Sequence, residues 1–316
     1  VLGSRGLGDV YKRQGYHYDD NTLKGFSHTH LSGTGCIDLG DILFRPTTQK
    51  IDPVADPVYQ PAAFSHEDEK ASAGYYSVIL KEEGIKVELT ATTHVGMHRY
   101  TFPSGKEASV IIDLAHLLDN EYIYEAVLEQ TSANEIAGMR RTRGWTDNQY
   151  VYFVAQFSKP FQSVDFIQDK KIAPASAKIS GTDLQGVLTF DTTDGEPVVV
   201  KVGLSLVSEK NARMNLENEV NDFNFDTVHA AARAAWEQVL SVITVEGGDT
   251  DDLVDFYTAM YHSMVVPNVV SDVNGEYRRH DMQIGQLLKD KKQYSTFSLW
   301  DTFRAWNPLM TLIDTT

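Results

Sequence analysis

Apolar and polar positions alternate over much of the first two thirds of the chain, and this alternation predicts β-strands. A period of two places every second residue on the same side of a strand. Residues 75–103 alternate about a Glu-Glu-Gly turn, and one face of residues 197–207 carries Val198, Val200, Val202, Leu204 and Leu206. Similar runs predict strands at residues 108–114, 122–130, 135–142, 150–157 and 185–192. Many short strands separated by turn signals are typical of an antiparallel sandwich.

The pattern changes from strand to helix after residue 209. Residues 211–224 are polar and acidic, so their composition predicts a connector. Beyond it, apolar residues recur at the spacing of one helix face. The predicted helices are residues 227–243 with Asp226 as N-cap, residues 251–266 ended by Pro267, and a last segment that runs to about Ile313.

These patterns predict a chain that is mainly β and then α. We place an N-terminal antiparallel β-sandwich at residues 15–209, a linker containing a helix at 210–246, and the beginning of a second, helical domain at 247–316. No β-α-β alternation and no phosphate-binding glycine loop is present, which argues against a doubly wound nucleotide-binding fold. The last three predicted helices have apolar faces with little chain left to bury them, so we expect the chain to end inside its second domain.

Residues 1–14 do not fit the rest of the sequence. They read VLGSRGLGDVYKRQ, have no periodicity, and end in VYKRQ, which looks like a translated sequencing-library adaptor. We therefore exclude them from the fold prediction as an artefact. No signal peptide is visible, but its absence carries no information about compartment if the native N-terminus is missing.

Composition narrows the classes of partner. The chain has 28 Lys and Arg residues against 44 Asp and Glu residues, for a formal net charge of −16. This charge disfavours nucleic acid and anionic membrane surfaces and suits a neutral ligand. No apolar run is long enough to insert into a membrane. Cys36 is the single cysteine, so an intrachain disulfide framework and a cysteine-based zinc site are both excluded.

The stretch at residues 294–309 contains Trp300, Asp301, Arg304 and Trp306 within seven residues. Indole rings stack on the apolar C–H faces of sugars, and charged groups bind sugar hydroxyls. The same spacing also fits an ordinary buried helix face. For Asp301 the structural alternative is helix capping together with Thr302.

A second candidate segment lies at residues 15–46, which are rich in glycine, serine, threonine and histidine. His28 and His30 would point to one face of an extended segment. Such a pair could bind a metal, donate hydrogen bonds to sugar hydroxyls, or satisfy loop backbone, and no third metal ligand is evident. Residues 271–281 have the Asp, Asn and Gly of a calcium loop, but the spacing does not fit an EF-hand.

Five segments occur in an order that resembles a known family. They read GFSHTHLSGTG, FSHEDEKASAGYYSV, KVELTATTHVGMHRYTFP, FYTAMYHSMVVPNVVSDVNGEYRRHD and YSTFSLWDTFRAWNPLMTLI. From about residue 15 to its end, the chain closely resembles glycoside hydrolase family 92, the inverting exo-α-mannosidases of bacteria. The resemblance implies an N-terminal β-sandwich, a helical linker and the truncated start of an (α/α)6 barrel.

The resemblance also implies a site and its ligands. The expected ligands are a calcium ion and mannose-containing glycans, and the expected location is secreted, periplasmic or cell-surface. The family's two catalytic carboxylates and its calcium ligands match no position here, so we assign neither a catalytic nor a metal-binding residue. Substrate contact carries over to Trp300 and Asp301 on the SLWDT motif, and to Phe26, Ser27, His28 and His30 on the GFSHTH loop.

Three interpretations follow for function. The first is the N-terminal portion of an α-mannosidase, inactive by itself; we take α-1,2 as its linkage, although the sequence leaves α-1,3, α-1,4 and mannose-phosphate bonds open. The second is a non-catalytic carbohydrate-binding sandwich, for which residues 15–209 alone would hold a sugar. The third is an assembly module with no glycan affinity.

Overall fold

The computed structural model describes residues 18–31, 38–55, 58–118, 122–174, 177–296 and 298–314. Within these ranges two antiparallel sheets come first along the chain, and the longer helices follow them. The predicted order of a β-sandwich followed by helices is therefore confirmed. Cys36 and residues 1–14, which the sequence analysis singled out, lie outside the described residues.

The elements are numbered along the chain. The strands are β1 (Thr22–Leu23), β2 (Leu43–Thr47), β3 (Ala62–Ala63), β4 (Lys70–Ser72), β5 (Tyr75–Leu80), β6 (Ile85–Ala91), β7 (Val95–Thr101), β8 (Ala108–Asp113), β9 (Tyr122–Ser132), β10 (Glu135–Arg143), β11 (Gln149–Phe157), β12 (Phe161–Gln168), β13 (Lys171–Ile172), β14 (Lys178–Gly181), β15 (Leu184–Phe190), β16 (Val198–Ser205), β17 (Glu276–Arg278) and β18 (Ile284–Gln286). The helices are α1 (Glu209–Glu219), α2 (Phe225–Leu240), α3 (Thr250–Ser263), α4 (Leu299–Thr302) and α5 (Trp306–Ile313), with a 3-10 turn at His66–Asp68.

The two large sheets pack face to face. The nine-stranded sheet has the order β14-β9-β10-β11-β16-β7-β6-β5-β4, and the five-stranded sheet has the order β13-β12-β15-β8-β2. The predicted face of β16 is confirmed, because Val198, Val200 and Val202 are fully buried in the core between the sheets. Val199 points the other way and belongs to a second apolar cluster on the outer face. Alternation along one strand thus supplies both cores.

The outer face of the nine-stranded sheet is covered by α1 and α2. Ala212 and Leu216 of α1, and Phe225 and Val228 of α2, are buried against it. The approach is close at Gly203 on β16, where a Cβ atom would lie 2.4 Å from the carbonyl oxygen of Ala212. Any side chain at this position would therefore push α1 away from the sheet.

The prediction of a polar connector at residues 211–224 is wrong in part, because the residues up to Glu219 belong to α1. Ser208 caps the helix by accepting a hydrogen bond from the Asn211 backbone N–H. Asn211 and Asn215 are buried although they are polar, so composition did not reveal the helix. Their side chains find partners in a later segment of the chain, as described below.

The other helix boundaries shift by a few residues. The N-cap of α2 is Asn224 rather than Asp226. Asp226 lies in the first turn and pairs with Arg99 of β7, with 3.0 Å between Oδ1 and Nη1. α3 ends at Ser263, before the predicted end at Pro267. The predicted final helix is interrupted, because α4 and α5 are separated by residues 303–305.

One strand that the sequence pattern missed is β2. It contains Pro46 and the buried Arg45, two residues that argue against a central strand. β2 lies at the edge of the five-stranded sheet, where a missing backbone N–H costs no ladder hydrogen bond. Arg45 is neutralised there by an ion pair to Glu83, whose other carboxylate oxygen accepts from the Thr48 backbone N–H at 2.8 Å.

Candidate functional site

A cleft of about 880 Å³ lies between one end of the nine-stranded sheet and the segment at residues 268–296. Its size is in the range of ordinary ligand pockets. One wall comes from the sandwich and the other from the segment that follows α3. The lining residues are His28, Thr29, His30, Leu39, Thr93, His94, Thr146, Asn148, Gln149, Tyr150, Val151, Leu204, Ser205, Leu206, Asn268, Val269, Val270, Asp272, Tyr277, Arg278, Arg279, His280, Asp281, Met282, Gln293, Tyr294, Ser295 and Thr296.

The sandwich wall follows from strand register. β16 lies between β11 and β7, and it is antiparallel to both. Tyr152 near the start of β11 is paired with Ser205 at the end of β16, and Gly203 is paired with Val95 at the start of β7. The loops before β11 and β7 and the loop after β16 must therefore meet at the same end of the sheet.

The loop containing the predicted residues Phe26, Ser27, His28 and His30 is held against this sheet end. Phe26 exchanges two backbone hydrogen bonds with Phe44 of β2, at 2.9 and 3.0 Å. Its ring is buried in the sandwich core, and it does not line the cleft. Ser27 is half-buried and donates to the Thr29 carbonyl at 3.3 Å. A Cβ atom on Gly25 would lie 2.7 Å from the Phe44 carbonyl oxygen, so no side chain fits at this position.

Asp41 fixes the far side of the same loop. Its Oδ2 accepts hydrogen bonds from Thr29 Oγ1 at 2.8 Å and from Gln149 Nε2 at 2.6 Å. Its Oδ1 lies 3.2 Å from Nε of the fully buried Arg140. Burial raises the pKa of Asp41, and the charge of Arg140 acts against this rise. The loop and β11 are thereby joined through one buried carboxylate.

His28 belongs to a buried chain of hydrogen bonds. Its Nδ1 lies 2.6 Å from the Ile42 carbonyl oxygen, which can only accept, so Nδ1 carries the proton. Its Nε2 is then an acceptor and receives Nε2–H of His98 at 2.9 Å. His98 Nδ1 in turn accepts the Tyr100 hydroxyl at 2.6 Å. Both ring nitrogens of His28 are therefore already paired.

Burial keeps both histidines neutral. It lowers the pKa of His28 to about 3 and also lowers the pKa of His98, to which the neighbouring His28 contributes. His30 differs from His28: it is half-buried, pairs through its backbone with Leu39, and lines the cleft. Of the four loop residues, His28 and His30 reach the cleft wall, and ligand contact by all four stays a prediction.

The second wall is fastened to the sandwich through Asp272. Its Oδ2 accepts from Ser205 Oγ and from Asn211 Nδ2, each at 2.7 Å, and its Oδ1 accepts from Asn215 Nδ2 at 2.7 Å. Asn215 Oδ1 also accepts the Val273 backbone N–H at 3.0 Å. The two asparagines are four residues apart and so share one face of α1. They anchor the turn that carries the cleft wall.

His94 forms a second fastening. Its Nδ1 faces a carboxylate oxygen of Glu219 in α1, and its Nε2 lies 2.8 Å from the Ser271 carbonyl oxygen. Because both neighbours accept, both ring nitrogens must donate, and the imidazole is protonated. Burial opposes this charge, but the hydrogen bonds and charge of Glu219, together with the Ser271 carbonyl, outweigh it and raise the pKa of His94.

The β17–β18 hairpin completes the second wall. Arg278 donates from Nε to the Leu206 carbonyl at 2.8 Å and lies over the Tyr150 ring, with 4.3 Å from Cζ to the ring centroid. The hairpin tip carries Arg279, His280 and Asp281, which line the cleft. Arg279 and Asp281 form an ion pair at 3.1 Å and are about half exposed, so these charges face a solvent-filled space.

Trp300 and Asp301 lie outside the cleft lining. Both are in α4, and the Trp300 side chain is 85% exposed. Among the described residues no side chain caps α4, so the capping alternative for Asp301 is not what the structure shows. Trp300 is also not part of a buried helix face here. Substrate contact by either residue stays a prediction.

Acidic and histidine side chains do not cluster as metal ligands in the described part of the chain. Within the described ranges no group of three or more histidine, cysteine, aspartate or glutamate side chains converges as metal ligands. The carboxylate of Asp272, in the turn whose composition resembles a calcium loop, is already satisfied by three side-chain donors.

Sequence reasoning did not single out His94 or Gln149, and it considered Asp272 and the Arg279–Asp281 tip only as parts of a loop with calcium-like composition. All but Gln149 fall inside two of the quoted motifs, KVELTATTHVGMHRYTFP and FYTAMYHSMVVPNVVSDVNGEYRRHD. The two motifs indicated the family resemblance, but they did not indicate which of their residues line the cleft or hold its walls. Roles require knowing which sheet end meets which turn, and that depends on long-range register.

Comparison with known proteins agrees with this arrangement. Residues 7–205 match the glycosyl hydrolase family 92 N-terminal domain, and residues 211–316 match the family 92 catalytic domain. A family GH92 α-mannosidase from Bacteroides thetaiotaomicron superposes with a TM-score of 0.88 at 36% identity, covering 94% of this chain and 41% of its own. A family GH92 inverting mannosidase from the same organism gives 0.82 at 25% identity, covering 94% and 39%. An uncharacterized secreted glycosidase of Arthroderma benhamiae is 26% identical over 93% of this chain and 41% of its own length.

The fold and both family matches define one class of protein, in which an N-terminal β-sandwich is followed by a helical domain. The chain belongs to glycosyl hydrolase family 92. It spans about 40% of the length of the relatives that it matches. In the described part of the chain, no helix is both long enough and apolar enough to cross a membrane.

Proposed function

We propose that this chain is the N-terminal part of an exo-α-mannosidase that removes terminal mannose from glycans with inversion. The main support for this proposal is the cleft at the junction of the two matched domains, because each domain contributes one of its walls. One structure that matches at 36% identity is an α-mannosidase in complex with mannoimidazole, which supports a mannose ligand. The acidic net charge of −16 also suits a neutral substrate.

In this proposal the residues of the chain bind and orient the sugar. Polar side chains on both walls, among them His30, Asn148, Gln149 and His280, can donate to or accept from hydroxyl groups. The walls are held by buried ionic hydrogen bonds, so their positions change little when a ligand arrives. Such preorganisation reduces the conformational entropy that the site loses on binding, so a ligand binds more tightly than it would to a flexible site.

The reacting groups of the proposed mechanism lie elsewhere in the complete protein. Inversion needs a general acid and a general base about 6.5–9.5 Å apart, with a water molecule between them and the sugar. We assign no residue of this chain to either role. We also propose that the ligands of the expected calcium ion lie beyond this chain.

Trp300 and Asp301 keep their proposed role as mannose contacts. Their exposure leaves an indole face and a carboxylate available to a ligand. α4 follows directly on Tyr294, Ser295 and Thr296, which line the cleft. In this proposal both residues contact the mannose in the complete protein.

The proposal also specifies the linkage that is cleaved and the cellular location of the protein. We propose α-1,2-linked mannose as the substrate and an extracytoplasmic location, secreted, periplasmic or cell-surface. A relative described as a secreted glycosidase supports the location. Product analysis on mannobioses of each linkage would decide the first point, and fractionation of cells that produce the complete protein would decide the second.

The proposed function is tested by comparing this chain with the complete protein. We expect the complete protein to hydrolyse manno-oligosaccharides and the 316-residue chain to release no mannose. NMR of the first-formed product should show β-mannose, as inversion requires. Turnover by the chain alone, lost when one of its own residues is replaced, would show that the chemistry lies within it.

A further inference from the structure

The turn between β10 and β11 carries a tryptophan that the fold does not use. Trp145 is 64% exposed. Within the described residues its ring makes no stacking or cation contact with another side chain. Thr146, the next residue in the sequence, and Asn148 line the cleft, so the backbone of Trp145 lies at the edge of the cleft on its sandwich side.

The backbone of this turn is held in place by Asp38. That carboxylate is buried and accepts from the Trp145 backbone N–H at 3.0 Å and from the Leu39 backbone N–H at 2.9 Å. Gly144 makes this possible, because a Cβ atom there would lie 2.0 Å from Asp38 Oδ1. The exposed ring is therefore presented from a fixed backbone position.

The other side of the turn is held by Arg141. Its guanidinium donates to Asn148 Oδ1, at 3.1 Å from Nε, and lies against the rings of Tyr124 and Tyr150. The backbone that carries the indole is therefore held on both sides, so it loses little further freedom when a ligand binds. Large, rigid aromatic groups of this kind contribute most of the binding energy in many interfaces.

We propose that Trp145 is the platform for the sugar next to the terminal mannose, and so a determinant of leaving-group specificity. The indole offers its face to the C–H face of a pyranose, and Asn148 and Thr146 offer donors and acceptors for the hydroxyl groups of the same sugar. The inference rests on the proposed function, because it takes the terminal mannose to be bound deeper in the cleft. Single exposed hydrophobic residues are common on protein surfaces. Trp145 differs from them because a buried carboxylate holds its backbone beside a cleft.

The test compares two substrates in the complete protein. α-Mannosyl fluoride has no second sugar, whereas mannobiose has one. For Trp145→Ala we expect kcat/KM on mannobiose to fall roughly tenfold to a hundredfold, mainly through KM. Activity on mannosyl fluoride should change by less than about threefold, because the terminal mannose and its reacting groups are untouched. Trp145→Tyr should recover most of the loss, since it restores a ring face.

Tyr122→Ala is the matched control. Tyr122 is 57% exposed at the start of β9, opposite Arg143 in the neighbouring strand, and it does not line the cleft. Its replacement should leave both substrates unaffected. Equal loss on both substrates in Trp145→Ala, or a fall in thermal midpoint without a substrate difference, would mean that Trp145 packs against the rest of the protein, and would overturn the proposal. A complete protein with no activity on either substrate would instead refute the proposed function.

Discussion

Replacement of His94 by alanine should loosen the second wall of the cleft while leaving the sandwich intact. His94 donates to Glu219 and to the Ser271 carbonyl, and its side chain is 12% exposed. A hydrogen bond between charged groups contributes about 1.5–3 kcal/mol, and one to a neutral carbonyl about 1 kcal/mol. Glu219 still accepts hydrogen bonds from Thr92 and from the backbone N–H of His94, so part of this free energy is retained after the replacement. We expect a net loss of about 2 kcal/mol, which is roughly thirtyfold in the opening equilibrium of the wall.

Hydrogen exchange of peptides covering residues 268–296 measures this opening. Protection there depends on backbone bonds such as Val270 to Gln293 and Asp272 to Glu276, both at 2.8 Å. In His94→Ala these peptides should exchange roughly thirtyfold faster, whereas peptides from β10 and β11 should not change. His66→Ala is the matched control, because His66 makes the same two kinds of bond, to Glu69 and to the Tyr18 carbonyl, at the surface. Unchanged protection of residues 268–296 in His94→Ala would refute the role of His94 as a fastening.

The same histidine gives the wall a pH dependence. The folded-state pKa of His94 is raised above its ordinary value of 6.5. Its contribution is therefore fully present below about pH 6.5 and is lost as the pH rises through the folded-state pKa. After correction for intrinsic exchange rates, wild-type protection at residues 268–296 should fall with increasing pH above that range. His94→Ala should show no such fall.

Three further predictions concern other parts of the chain. Asp301→Asn in the complete protein should lower kcat/KM for mannosides roughly tenfold to a hundredfold with an unchanged thermal midpoint; normal kinetics would remove Asp301 from the site. Glu83→Ala leaves the buried Arg45 without its partner and should destabilise the sandwich by about 3–5 kcal/mol in a urea titration, and a change below about 1 kcal/mol would mean that Arg45 finds another partner. Limited proteolysis of the 316-residue chain should remove α4 and α5, which contain no buried residue, and leave a core that retains the second wall at residues 268–296; one resistant species spanning the whole chain would contradict this.

The strands of the sandwich could be predicted because their signal is local. The face of Val198, Val200 and Val202 is visible as a period of two, and burial in one core produces that period. α1 could not be predicted in the same way, because its buried face includes Asn211 and Asn215. Those asparagines are stable in the interior only because Asp272, almost sixty residues later, accepts from them.

The candidate site was predicted only in part for the same reason. The loop with His28 and His30 was identified from its composition and its motif, and it does form part of the cleft wall. The pairing of both His28 nitrogens depends on His98 and Ile42, which no spacing within residues 15–46 could indicate. Trp300 and Asp301 were chosen from their chemistry together with the SLWDT motif, and in this structure they lie outside the cleft lining.

The contact between the sandwich and the second wall is polar, and this affects how heat would separate them. Asp272, Asn211, Asn215, His94 and Arg278 dominate it, with few apolar side chains. Exposure of polar surface lowers the heat capacity of unfolding, whereas exposure of apolar surface raises it. Detachment of this wall would therefore absorb enthalpy with almost no step in heat capacity. In a calorimetric scan it would resemble a small early shoulder, distinct from the later transition in which the valine-rich core is exposed to water.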